Sequence, residues 1–282
     1  MNAPARELTL PAPAKVNLFL HVTGRRPDGY HTLESLFAPI DLADLISLRV
    51  RDDGVVARVR DISRVDQADD LTLRAACALR EESGVAMGVD IAVEKRIPIG
   101  AGLGGGSSDA ATVLIGLNAL WRLHWPRERL ARIGVKLGAD VPFFLGTGPA
   151  LARGIGEQLL PMSLPRLWIA LATPAIEVAT AAIFAAPELT RSTPSAKIDI
   201  FSEGYGRNDL QAVATARFAE IRETIERLTR ASPFARMTGS GASAFAAFAD
   251  EAAARDALAR LPEGVAGRLV RTLDRLPLAA LV

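Results

Sequence analysis

Residues 98–114 read PIGAGLGGGSSDAATVL, with Gly100, Gly102, Gly104, Gly105 and Gly106 inside seven positions and Ser107, Ser108 and Asp109 directly behind them. An apolar run with the composition of a helix follows. Glycine lets a backbone approach an anion closely and curl several N–H groups around it. The first N–H groups of a helix lack internal partners, and the aligned peptide dipoles make that end partly positive. Phosphate is the natural occupant of such a place. A pliable loop with no ligand is the plainer account. It is disfavoured because five glycines abut a helix that Ser107 or Ser108 can cap.

Two phosphate loops can be tested against this stretch. It satisfies G-x-G-x-x-G at Gly100, Gly102 and Gly105. A dinucleotide site also needs a strand ending in an acid roughly 20 residues on, to hold the ribose. The corresponding region here, WRLHWPRE, reads as a helix end and a new helix start. The loop also follows several strands instead of opening its domain. A nicotinamide-dependent dehydrogenase is therefore disfavoured. The other loop, G-x-x-x-x-G-K-[ST], requires a lysine where Ser107 stands.

Other residues have the types for polar chemistry. Lysine is scarce: Lys15, Lys95, Lys136 and Lys197 are the whole set among 33 basic residues. In LTLPAPAKVNLFLHVTG, Lys15, Asn17, Phe19 and His21 alternate with Val16, Leu18, Leu20 and Val22. Lys15 and Asn17 thus share a strand face and can point into one pocket. Tyr30 and His31 follow a Pro-Asp-Gly turn. Asp140 follows a helix end, where the dipole disfavours a carboxylate. Taken singly, each of these is also an ordinary surface feature. Cys77, the single cysteine, offers neither a disulfide nor metal-ligand spacing. Its apolar setting, LTLRAACALR, predicts a buried thiol.

Taken together, the stretches resemble a known family. P-x-x-x-G-L-G-G-G-S-S-x-A-A is similar to the phosphate loop of the GHMP kinases, which include galactokinase, homoserine, mevalonate and phosphomevalonate kinases. PAKVNLFLHVTGRRPDGYHTLESLF resembles the N-terminal signature of one branch. That branch phosphorylates a cytidine-diphosphate-linked methylerythritol in non-mevalonate isoprenoid synthesis. LGADVPFFL resembles its catalytic segment, and MTGSGASAFAAF its third motif. The four stretches span nearly the whole chain in the family's order.

The resemblance implies an α+β, two-domain fold: an N-terminal S5 domain 2-like α/β domain and a C-terminal ferredoxin-like α+β domain. It implies ATP and Mg2+, with the γ-phosphoryl passing to the 2-hydroxyl of the erythritol. By the same resemblance Asp140 takes the hydroxyl proton. Lys15 keeps that carboxylate ionised and stabilises developing charge. Lys95, Pro98, Ile99, Gly100, Ala101, Gly102, Leu103, Gly104, Gly105, Gly106, Ser107 and Ser108 bind the nucleotide. Lys15, Asn17, Tyr30, His31, Asp140 and Phe184 bind the substrate, with Tyr30 and Phe184 stacking on the base. Such stacking is worth about 1–3 kcal/mol per base.

Two departures stand out. Asp109 replaces an asparagine common at that position, and a carboxylate beside a triphosphate is unfavourable unless it faces away or helps hold magnesium. The metal ligands stay open. The third motif has Gly239 and Gly241 but no longer glycine run. Within the family, the D-G-Y-H string and Asn17 argue against a homoserine or mevalonate kinase. A catalytically silent binding protein would be expected to lose Lys15 or Asp140.

Positioning these residues requires strands before the loop, at LTLPAPAKVNLFLHVTG, HTLESLFAPI, DLISLRVR, VVARVRD and VDIAVEKRI. A helix over residues 71–83 is capped by Asp69 or Asp70 and closed by Gly84. After the loop come a helix to Trp121 and another opened by Pro126 and ended by Gly138. From about Leu159 the pattern changes to a buried strand, a short helix from Thr180 and a polar loop over residues 192–206. A long helix from Asn208 or Asp209 to about Arg230, a strand–glycine turn–strand, a helix and a last strand follow. The expected division is 1–158 and 159–282. The 282 residues are 49% hydrophobic and 23% charged, with a net charge of +1. That balance argues against a general nucleic-acid or membrane-surface role. No apolar run reaches the ~18 residues of a membrane span, and the N-terminus lacks a signal pattern, so a cytoplasmic protein is expected. A monomer or weak homodimer acting on a small molecule completes the expectation.

Overall fold

The computed structural model describes residues 6–59, 65–195 and 206–281. Strands β1 (Glu7–Arg25) and β2 (His31–Arg51) form a long antiparallel hairpin. Its turn is set by Gly29, at φ 90°, and by Asp28, which accepts the Tyr30 N–H at 3.1 Å. The sequence reads β2 as two strands. It is one, because residues 31–49 pair with β1 along nearly their whole length. The register slips between Pro13 and Lys15, between Asn17 and Leu20, and between Val22 and Gly24. The slip after Asn17 ends the simple alternation. Phe19 joins Val16 and Leu18 in one core, while Leu20 and Val22 enter another.

The chain continues through β3 (Val56–Arg58), α1 (Leu71–Ser83), β4 (Gly88–Glu94), α2 (Gly105–Leu120), α3 (Arg127–Leu137) and α4 (Val141–Phe144), then β5 (Ala150–Arg153) and β6 (Gln158–Pro161). The expected strand at VVARVRD is short; its residues 60–61 lie outside the described residues. The first sheet has the order β3-β4-β2-β5-β6, with β1 also paired to β2. Asp70 caps α1 by accepting the Thr72 N–H, and Gly84 at φ 69° closes it. The buried stripe of α1 is Thr72, Ala75, Ala76 and Leu79. Cys77 falls off that stripe and is exposed, contrary to the buried thiol expected from its neighbours.

The second sheet, β10-β7-β9-β8, is built from β7 (Trp168–Pro174), β8 (Arg236–Met237), β9 (Ala244–Phe248) and β10 (Val265–Arg271), all antiparallel. Helices α5 (Thr180–Phe184), α6 (Gln211–Arg217), α7 (Ala219–Thr229) and α8 (Glu251–Leu258) accompany it. The long helix expected over residues 208–230 is two, broken at Phe218, whose backbone is extended (φ −127°, ψ 108°). Phe218 packs on the core of the second sheet, and Asn208 is tied to Met237 O and Gly239 O, both at 2.8 Å. Of the polar loop expected over residues 192–206, residues 196–205 lie outside the described residues. A third core, including Val16, Phe19, Leu36, Leu103, Ile169 and Phe245, lies between the sheets. Among the described residues no helix is long and apolar enough to cross a membrane.

Candidate active site

Lys15 and Asn17 emerge together from β1. Lys15 Nζ donates to Asn17 Oδ1 at 2.6 Å and lies 3.4 Å from Asp140 Oδ2. The lysine side chain is 4% exposed and that of Asp140 30% exposed, so the ammonium is sheltered while the carboxylate still reaches the cleft. The Phe37 ring supports the ammonium at 4.9 Å from its centroid. Asn17 is fixed from three sides. Its Nδ2 donates to Ser35 Oγ at 2.8 Å, its backbone N–H donates to Thr238 Oγ1 at 2.9 Å, and its Oδ1 accepts from that hydroxyl at 3.2 Å. Asp140 stands between α3 and α4 as the residue before α4. The short following helix therefore presents its N-terminal end to a position the sequence places only after a helix C-terminus.

The glycine loop lies beside this pair. Gly100, Gly102 and Gly104 take φ values of 69°, 74° and 71°, a region costly for other residues. Helix α2 starts at Gly105 with Gly104 before it, and no side chain caps it. Ser107 and Ser108 fall within its first turn instead of capping it. The N–H groups there are left for a ligand, as an anion cradle requires. Ser107 keeps its hydroxyl without a hydrogen bond among the described residues and borders the cleft. Ser108, expected to hold phosphate, is fully buried, and its N–H is spent on Gly104 O at 2.9 Å. The third motif locks onto the loop from below. A Cβ on Gly102 would sit 2.3 Å from Thr238 O, and one on Gly239 would sit 2.8 Å from Gly102 O.

Two cavities are lined by the loop. One, about 830 Å³, is lined by Lys15, Asn17, Tyr30, His31, Asp140 and Phe184. The other, about 480 Å³, is lined by Lys95, Asp109 and residues 98–107, including Pro98, Ile99, Ala101, Leu103, Gly105 and Gly106. Gly100, Gly102, Gly104, Ser107 and Thr180 border both. Lys15 and Asp140 line the larger cavity, with the Lys15 chain against Gly104, a residue common to both.

Lys95 is bound to carboxylates: its Nζ lies 2.5 Å from Asp44 Oδ2 and 2.8 Å from Asp109 Oδ2. Asp44 is itself fixed by the backbone N–H groups of Arg96 and Ile97 at 2.5 and 2.8 Å. Burial works against the Lys95 charge, but the Asp109 and Asp44 carboxylates outweigh it and hold the amine above its ordinary value. Burial pushes the Asp109 carboxyl up to about 7, with Lys95 opposing and Asp44 adding to the rise.

At the far end of the larger cavity, the His31 and Phe184 rings lie 5.2 Å apart at 31°. Tyr30 is 63% exposed at the rim. Burial lowers the His31 pKa, and the Arg191 and Arg25 guanidinium groups lower it further.

Comparison with known proteins fits this geometry. Residues 70–148 match the GHMP kinases N terminal domain, and residues 187–267 match the GHMP kinases C terminal family. A 4-diphosphocytidyl-2-C-methyl-D-erythritol kinase of Cupriavidus metallidurans is 52% identical over 274 residues, covering 95% of this chain and 94% of that protein. The chain belongs to this family of GHMP kinases. The enzyme of the same name from Thiobacillus denitrificans is also 52% identical, over 95% of this chain and 96% of its own length. A crystal structure of a 4-(cytidine 5'-diphospho)-2C-methyl-D-erythritol kinase superposes with a TM-score of 0.80 at 36% identity, covering 94% of this chain and 99% of that one. Homoserine kinase from Cytophaga hutchinsonii shares the fold at a TM-score of 0.74 and 16% identity, over 98% and 97% of the two chains. The α+β GHMP kinase fold anticipated from the motifs is the fold observed.

Several residues that hold this GHMP kinase site together are not among those the sequence singled out. Thr238 holds Asn17, Ser35 orients its amide, and Asp44 anchors Lys95. Thr180 and Ser240 pair their hydroxyls at 2.7 Å on the cleft wall. Ser35, Thr238 and Ser240 lie inside stretches whose pattern is legible, but nothing local says which partner each hydroxyl meets; Asp44 and Thr180 lie outside those stretches.

Proposed function

We propose that the protein transfers the γ-phosphoryl group of ATP to the 2-hydroxyl of 4-diphosphocytidyl-2-C-methyl-D-erythritol, giving the 2-phosphate and ADP on the non-mevalonate route to isoprenoid precursors. The Lys15–Asp140 pair, in the larger cavity beside the glycine loop that also lines the smaller one, carries this reading. The smaller cavity holds the nucleotide and the larger the cytidylyl substrate. Asp140 accepts the hydroxyl proton as the oxygen attacks phosphorus. Lys15, held by Asn17 and 3.4 Å from Asp140, faces the charge that develops on the transferred oxygens. The backbone N–H groups of Gly105, Gly106 and Ser107 hold phosphate oxygens, and Lys95, Pro98, Ile99, Ala101 and Leu103 wall the nucleotide. Tyr30, His31 and Phe184 hold the base.

Magnesium, when bound, would supply charge neutralisation at the phosphates. The unpaired hydroxyl of Ser107, bordering both cavities, fits a hard cation that keeps most of its water. No cluster of three His, Cys, Asp or Glu groups suited to a metal occurs among the described residues.

The test is incubation with ATP, magnesium and a panel containing the cytidylyl substrate, homoserine and mevalonate, followed by mass spectrometry. Only the cytidylyl compound should gain a phosphoryl group. Asp140→Asn should lower kcat by about 10²–10⁴, the usual worth of a positioned base. No product from the cytidylyl compound, or full activity in Asp140→Asn, would overturn the reading.

A further inference from the structure

Arg191 lies in the loop after α5, outside every motif. Its guanidinium has no carboxylate partner among the described residues. Nε donates to His31 Nε2 at 3.0 Å. Nη2 donates to Phe184 O at 3.1 Å and Ala186 O at 2.6 Å, and Nη1 to Leu189 O at 3.0 Å and Pro187 O at 3.5 Å. One fork thus ties the loop after α5 to the first residue of β2.

An arginine N–H can only donate, so His31 Nε2 must accept. The ring is then neutral with its proton on Nδ1. Among the described residues Nδ1 has no hydrogen bond, and His31 borders the cleft. The cleft therefore receives a fixed N–H donor. The same guanidinium holds the carbonyl of Phe184, whose ring lies against the imidazole. Cytosine presents a lone pair at N3, whereas uracil presents N3–H. A fixed donor pairs with the first and opposes the second.

We propose that Arg191 is a positioning residue that locks His31 as an Nδ1–H donor and so makes the cleft select cytosine over uracil. The inference rests on the cleft being the site for the cytidylyl substrate, as set out above. The charged groups facing the ring are Arg191 and Arg25, and both resist its protonation. Removing Arg191 therefore raises the pH at which the ring titrates.

Long-range proton–nitrogen NMR of the histidine rings tests the lock directly. The chain has three histidines, so the spectrum of His31→Asn assigns the signal. In the wild type His31 should carry its proton on Nδ1, with Nε2 bare. In Arg191→Met the proton should move wholly or partly to Nε2, and the ring should titrate at higher pH. In kinetics, the ratio of kcat/KM for the cytidine- over the uridine-linked substrate should fall at least roughly tenfold. The loss should appear in KM for the cytidylyl substrate and not in KM for ATP. Arg191→Lys, with a donor but no fork, should restore part of the ratio. An Nε2–H ring in the wild type overturns the proposal, whatever the variants do. An unchanged tautomer and base ratio in a folded Arg191→Met also overturns it. If the wild type does not phosphorylate the cytidylyl compound, the functional reading fails, and the wild-type ring spectrum still decides the Arg191 lock.

Discussion

Asp109 does not face a triphosphate as a bare charge. Its Oδ2 shares Lys95 with Asp44, and its Oδ1 is buried without a partner. Burial lifts its carboxyl to about 7, far above the unfolded value of roughly 4. The sign follows from proton uptake. Between about pH 4 and pH 7 the folded chain holds a proton that the unfolded chain has lost, so this carboxyl costs stability progressively as pH rises. The cost is absent below pH 4 and complete above pH 7. Asp109→Asn should therefore flatten the melting temperature across that window and raise it most at pH 7 and above. A melting series of the two proteins checks this; parallel curves would refute it. The glycine run made an anion site legible, but the Asp109 cluster was not legible, because Asp44 lies 51 positions from Lys95. Arg191 was hidden for the same reason, 160 positions from His31.

Helix α2 and the third motif behave as one element. The glycines of the loop differ sharply in what surrounds them. A Cβ on Gly100 would meet nothing within 4 Å, whereas one on Gly102 would strike Thr238 O at 2.3 Å and Gly241 O at 3.0 Å. Both have positive φ. Gly100→Ala should then cost only backbone strain, roughly 1–3 kcal/mol. Gly102→Ala should cost more than that and also raise KM for ATP, because the loop must leave the third motif. Denaturant midpoints and ATP saturation curves of the two variants compare them; equal effects would contradict the interlock. The elements themselves were largely readable. Asp70 and Gly84 announced the ends of α1, and Gly138 the end of α3. The break at Phe218 was not, because neither glycine nor proline marks it and packing of Phe218 on the second core decides it.

In the whole molecule the two sheets share residues instead of merely touching. β1 supplies Leu10 and Ala12 to the first core, Val16 and Phe19 to the middle one, and Leu20 and Val22 to the second. The chain end returns to the first core through Leu276 and Leu278, and Arg127 binds the Leu278 and Leu281 carbonyls. Both faces of β1 are covered, because a second sheet packs where the sequence shows only hairpin partners.

The glycine loop is a wall common to two cavities, each of which opens to solvent. With the nucleotide in one and the alcohol in the other, as proposed above, neither reactant has to pass through the other's compartment. Binding should therefore follow no obligatory sequence. Initial-rate plots against either reactant should intersect, and ADP should compete with ATP at every concentration of the alcohol. Uncompetitive inhibition by a dead-end analogue of one reactant against the other would mean that one doorway is closed until its neighbour is filled.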